Sequence, residues 1–111
     1  MSEHGQFTIS TVTVVETIKG FERTKREAEI SRFILKLGAM QVLPLSVEAA
    51  VLAGRIYGAL ERSGLPIGRM DPMIAGIALA HDLELVSGNV SHYERLGALG
   101  FNLRIANWRA P

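Results

Sequence analysis

Phe7-Thr8-Ile9-Ser10-Thr11-Val12-Thr13-Val14-Val15-Glu16-Thr17-Ile18-Lys19-Gly20-Phe21 changes its period midway, and that change decides the class of fold. Residues 7–10 are few and rich in β-formers, which marks a buried strand. From there Val12, Val15, Ile18 and Phe21 recur at the spacing of one helical face, and Gly20 weakens the end of the helix. A strand running straight into a helix is half of a β-α-β unit.

The same alternation continues downstream. Ile30, Phe33, Ile34 and Leu37 share one face of a second amphipathic helix, with Gly38 as its stop. Met40-Gln41-Val42-Leu43-Pro44 reads as a strand closed by proline. Ser46 is placed to cap a long helix through Ala49, Ala50, Ala53, Ile56 and Leu60, ending near Gly64. After the stiff loop Gly64-Leu65-Pro66-Ile67-Gly68, Asp71-Pro72 opens a helix through Ile74, Ile77, Ala78 and Leu79. Leu83-Glu84-Leu85-Val86-Ser87 is a strand, and Gly88-Asn89 is a turn. Ser91-x-x-Glu94 is a capping box opening a short helix. Phe101-Asn102-Leu103-Arg104-Ile105 is the last strand, with Trp108 just beyond it. Upstream, Met1-Ser2-Glu3-His4-Gly5-Gln6 is polar and reads as the end of something. Strands alternating with helices predict an α/β domain with a parallel sheet and right-handed crossovers.

With 111 residues and no linker, repeat or low-complexity stretch, the chain is expected to form one domain. Apolar residues make up 48% of it, enough for a real core. Twelve basic and 11 acidic side chains leave a formal charge of +1, which argues against non-specific coating of nucleic acid. Cysteine is absent, so thiol chemistry and disulfides are excluded, and any metal must be held by oxygen or imidazole. No apolar run approaches the roughly 18 residues of a membrane span and no signal peptide opens the chain, so a cytoplasmic protein is expected.

In an open parallel sheet, ligands sit beyond the carboxyl ends of the strands. Glu16, Asp71 and Asn89 fall near such ends. Converging carboxylates there suit Mg²⁺ or Mn²⁺, hard ions that prefer oxygen. Helix capping is the competing reading. Thr13-x-x-Glu16 is itself a capping-box pattern, and Asp71-Pro72 is what an N-cap followed by an N1 proline looks like. Asn89 after Gly88 is ordinarily a turn residue. The residues alone leave both readings open.

Other features point to less. His4, His81 and His92 form no zinc spacing. Arg23-Thr24-Lys25-Arg26 suits either phosphate or a solvated face, the second being the commoner. Gly64-x-x-x-Gly68 lacks the lysine of a phosphate loop. Ser10 and Ser87 have no histidine–acid pairing beside them.

Three segments together carry a resemblance. Ile9-Ser10-Thr11-Val12-Thr13-Val14-Val15-Glu16, followed by Lys19-Gly20, resembles the second motif of PIN-domain ribonucleases of the VapC type. Pro66-Ile67-Gly68-Arg69-Met70-Asp71-Pro72-Met73-Ile74-Ala75 resembles the third motif, and Leu85-Val86-Ser87-Gly88-Asn89-Val90-Ser91-His92-Tyr93 the fourth. Asn107-Trp108 matches the usual ending. The resemblance implies a PIN-like three-layer domain over residues 1–111, with a parallel sheet flanked by helices. It implies Glu16 and Asp71 as metal ligands, Asn89 as a further catalytic residue, and Ser87 and His92 in support. It further implies a Mg²⁺- or Mn²⁺-dependent endoribonuclease, the toxin of a toxin–antitoxin pair. Its partners would be RNA, a cognate antitoxin and a second copy of itself, with no membrane and no DNA contact except through the antitoxin complex.

One part of the family pattern has no match. Such domains begin with a central strand ending in an Asp-Thr-Asn-like motif, and nothing before Phe7 supplies it. The expectation is a domain incomplete at its N-terminus, lacking the first (central) strand, through a misassigned start codon, a shortened gene or an artificial boundary. Such a fold would close by strand rearrangement or by exchange with a second copy. Activity would be impaired, and the alternative is an inactive remnant that serves as an antitoxin-binding or dimerising module.

Overall fold

The computed structural model describes residues 2–3, 6–65, 70–87 and 90–107, and side chains for residues 8–65, 70–85 and 93–105. The chain divides into two compact units, Met1–Pro44 and Leu45–Pro111.

In the first unit, β1 (Ser2–Glu3), β2 (Gln6–Ser10) and β3 (Gln41–Leu43) form a sheet in the order β1-β2-β3. β2 and β3 are parallel, pairing Thr8 with Gln41, Ile9 with Val42 and Ser10 with Leu43. Two helices connect them, α1 (Thr11–Arg23) and α2 (Glu27–Leu37), as the change of period at Ser10 predicts. The Thr8 hydroxyl donates to Gln41 Oε1 at 3.2 Å across the parallel pair. The polar amino terminus does more than end something. Ser2 and Glu3 pair antiparallel with Phe7 and Gln6, because ladder bonds use backbone groups and need no apolar side chain.

Arg23-Thr24-Lys25-Arg26 makes the turn from α1 to α2 and is exposed throughout. Lys25 adopts a positive φ of 54°, and the Arg26 N–H closes the turn on Phe21 O at 2.9 Å. The Arg26 guanidinium lies 5.6 Å from the centre of the Phe21 ring, within cation–π range. α2 is amphipathic, with Arg32 paired to Glu29 one turn earlier, yet it buries no residue.

The second unit contains α3 (Val47–Ser63), α4 (Asp71–Ala80), β4 (Leu85–Ser87), α5 (Val90–Ala98) and β5 (Ile105–Asn107). Ser46 caps α3, its Oγ accepting from the Ala49 N–H at 3.1 Å. Gly64 ends that helix in the left-handed conformation, φ 66°, which glycine adopts without steric cost. α4 is buried along most of its length and packs on the Ala49–Ala53–Ile56–Leu60 face of α3. A Cβ at Gly76 would lie 2.5 Å from Ala49 O and 3.1 Å from Ala53 N, so the two backbones meet at this glycine.

β4 and β5 are parallel, in register from Leu85–Ile105 to Ser87–Asn107, with α5 between them. Both start later than the sequence suggests. The Leu83 N–H is already engaged, bonding Ala78 O at 2.8 Å as the chain leaves α4. Leu103 N–H bonds Phe101 O at 2.9 Å, a tight turn where an extended strand was expected. α5 starts at Val90, one residue before the Ser91 expected to cap it. Tyr93 and Leu96 form its buried face.

Candidate functional site

The two candidate acids lie in different units, and each is held in its own way. Glu16 is in the second turn of α1, on an exposed position. The N-terminus of α1 is capped by Ser10, whose Oγ accepts from the Thr13 N–H at 2.9 Å and lies 2.8 Å from Thr13 Oγ1. Thr13 is therefore inside the helix and is not its cap, and no acid occupies the first turn. The capping-box reading of Glu16 fails because Ser10, three residues before Thr13, takes the orphan N–H group.

Asp71 is also not a cap. It is the first residue of α4, and Met70 stands at the cap position without a side-chain cap bond. The Asp71 carboxylate turns to a tertiary partner: Oδ1 accepts from the Tyr93 hydroxyl at 3.0 Å. Asp71 is 9% exposed and Tyr93 4%. The bond ties the carboxylate to α5, the helix that leaves the carboxyl end of β4, the end of a parallel strand where ligands gather. An acid in the first turn also sits favourably in the helix dipole, which orients nothing by itself.

Ser87 closes β4 opposite Asn107, and His92 lies in the first turn of α5, but their side chains are not among those described. Asn89, Trp108 and the loop residues 66–69 lie outside the described residues. His81 ends α4 on an exposed position, as a helix-surface residue should. Among the described residues, no three His, Cys, Asp or Glu side chains gather as a metal cluster, and no helix is long and apolar enough to cross a membrane. The contact between Tyr93 and Asp71 spans 22 residues, and the sequence offered no local signal for it beyond a tyrosine at the end of the stretch that resembles the fourth motif.

Residues 2–97 match the family model described as PIN domain. The tRNA(fMet)-specific endonuclease VapC of Shigella flexneri is 36% identical over 99 residues, covering 86% of this chain and 73% of that protein. The protein of the same name from Salmonella typhimurium is 35% identical over 104 residues, covering 90% and 74%. Among solved structures, VapBC2 from Rickettsia felis bound to a promoter DNA fragment superposes with a TM-score of 0.79 at 28% identity, over 93% of this chain and 75% of that one. DNA-bound VapBC from S. typhimurium gives 0.73 at 33% identity, over 91% and 74%. The parallel pairs β2–β3 and β4–β5, the acids of α1 and α4 and these matches lead to one assignment: the chain belongs to the PIN domain family, among its VapC-type members.

Proposed function

We propose that this chain is the toxin of a toxin–antitoxin pair, an endoribonuclease dependent on Mg²⁺ or Mn²⁺, and that residues 1–111 act as one PIN-type domain. The observation that carries the reading is the state of Asp71. A carboxylate buried in the first turn of α4 and bonded to a tyrosine of α5 is a candidate ligand-binding group. Family membership supplies the reaction class, and the S. flexneri and S. typhimurium relatives are named for cleaving tRNA(fMet).

The donor chemistry fits a hard divalent cation. Asp71 and Glu16 offer only oxygen, and Mg²⁺ is commonly held by one or two carboxylates together with waters and substrate phosphates, without a complete protein cage. When bound, such an ion supplies a Lewis acid for the phosphodiester and a route to activated water. Asp71 and Glu16 would each serve as a metal ligand, Asn89 would be a further catalytic residue, and Ser87 and His92 would support ligand or water. The partners are RNA and a cognate antitoxin, in keeping with the VapBC complexes among the structural neighbours, and a second copy of the chain, with or without strand exchange. Any DNA contact runs through the antitoxin.

A second reading has one observation in its favour. The neighbour of β2 on the side away from β3 is the antiparallel Ser2–Glu3, where the family pattern asks for a parallel strand ending in aspartate. In that reading the polypeptide is impaired or inactive and serves as an antitoxin-binding or dimerising module. Incubating the purified chain with initiator tRNA and Mn²⁺ separates the two. Cleavage that Glu16→Gln and Asp71→Asn each reduce by at least about 100-fold is expected. Cleavage untouched by both substitutions overturns the site; no cleavage, with the antitoxin still bound, establishes the second reading.

A further inference from the structure

Resting on the metal-binding reading of Asp71, we propose that Tyr93 is a positioning residue, whose phenol holds the Asp71 carboxylate in the orientation from which it takes the cation. Both side chains are buried, on different helices of the same unit, and meet through a single described hydrogen bond of 3.0 Å. A phenylalanine would fill the same apolar space beside Leu96 on the buried face of α5. The hydroxyl is therefore there for its polar chemistry.

Pro72 follows Asp71 at the start of α4, so the backbone that carries the carboxylate is stiff. What remains free in an aspartate is rotation of the side chain, and a donor fixed on Oδ1 sets that rotation. A carboxylate offers about four lone-pair positions, and the phenol takes up only one of them. Carboxylates that ligate metals are themselves commonly hydrogen-bonded, and losing such a partner typically weakens metal affinity about 10- to 100-fold. A tyrosine that merely satisfied its own hydroxyl would change stability on losing it and leave metal affinity where it was.

The test is a Mn²⁺ titration of the whole chain without RNA, read by water-proton relaxation, on the wild type, Asp71→Asn and Tyr93→Phe, with circular dichroism to verify the fold. Asp71→Asn is expected to lose most binding, and Tyr93→Phe to bind about 10- to 100-fold more weakly while keeping its helical spectrum. Unchanged affinity in Tyr93→Phe alongside a loss in Asp71→Asn overturns the positioning role alone. A wild type that binds no Mn²⁺, or an Asp71→Asn that binds as well as wild type, overturns the metal reading and this role with it. Should Tyr93→Phe fail to fold, Asp71→Glu takes its place, since it keeps the charge and displaces the carboxylate from the phenol. The same weakening is expected there, and wild-type affinity overturns the proposal.

Discussion

Among the described residues, the two units bury their side chains to different extents, and the candidate acids differ in the same way. In Leu45–Pro111 the backbones of α3 and α4 meet at Gly76, and Ile56, Ile77 and Leu96 are almost wholly shielded from solvent. In Met1–Pro44, α2 buries nothing, and Ile34 and Leu35 stand 56% and 78% exposed. Asp71 is fixed by the packing around it and by Tyr93, whereas Glu16 rides on an exposed position of a helix whose register is set locally by Ser10. Substitution at Asp71 therefore breaks a buried tertiary hydrogen bond as well as changing the charge.

The largest effect that can break this contrast lies in the α3–α4 core. Ile56→Ala removes a fully buried side chain and is expected to cost about 2–5 kcal/mol in urea melts. A cost below 1 kcal/mol would mean that the second unit is no more tightly built than the first. Next comes Gly76→Ala. Its new methyl must displace backbone at Ala49 and Ala53, with no flexible side chain to absorb the shift. We expect about 1–3 kcal/mol of destabilisation, and a neutral result would show that the helices part readily. In the first unit, Ser10→Ala removes the cap of α1 and is expected to cost about 1 kcal/mol. Because α1 carries Glu16, the same variant should also slow any RNA cleavage.

The order of strands and helices was legible in the sequence, because apolar spacing and stop signals are local. Ser46 capping α3 and Gly64 closing it are patterns a few residues long, and both stand. The same locality misled at the acids. Thr13-x-x-Glu16 and Asp71-Pro72 have the form of caps, but Ser10 and Met70 occupy those positions. Strand starts slipped where one backbone N–H was already committed, at Leu83 and Leu103. The Asp71–Tyr93 bond had no local signature, since folding alone brings α4 and α5 together. Spacing placed Glu16 and Asp71 just after strands or at a helix start, and only the tertiary structure adds the bond between Asp71 and Tyr93.

The smallest expected effect is also the one that sharpens the contrast most. Among the described residues of its unit, Leu35 is the most exposed large apolar side chain, and α2 has no buried residue. Leu35→Ala should leave the free energy of unfolding within about 0.5 kcal/mol of wild type in dilute solution, the usual range for surface positions. If the change instead exceeds about 2 kcal/mol, that face is covered in solution, since only burial makes truncation of a leucine so costly. Repeating the melts over a range of chain concentrations then identifies the cover. A cost that grows with concentration places a second copy on α2, whereas a concentration-independent cost places the chain's own residues there and removes the contrast between the two units.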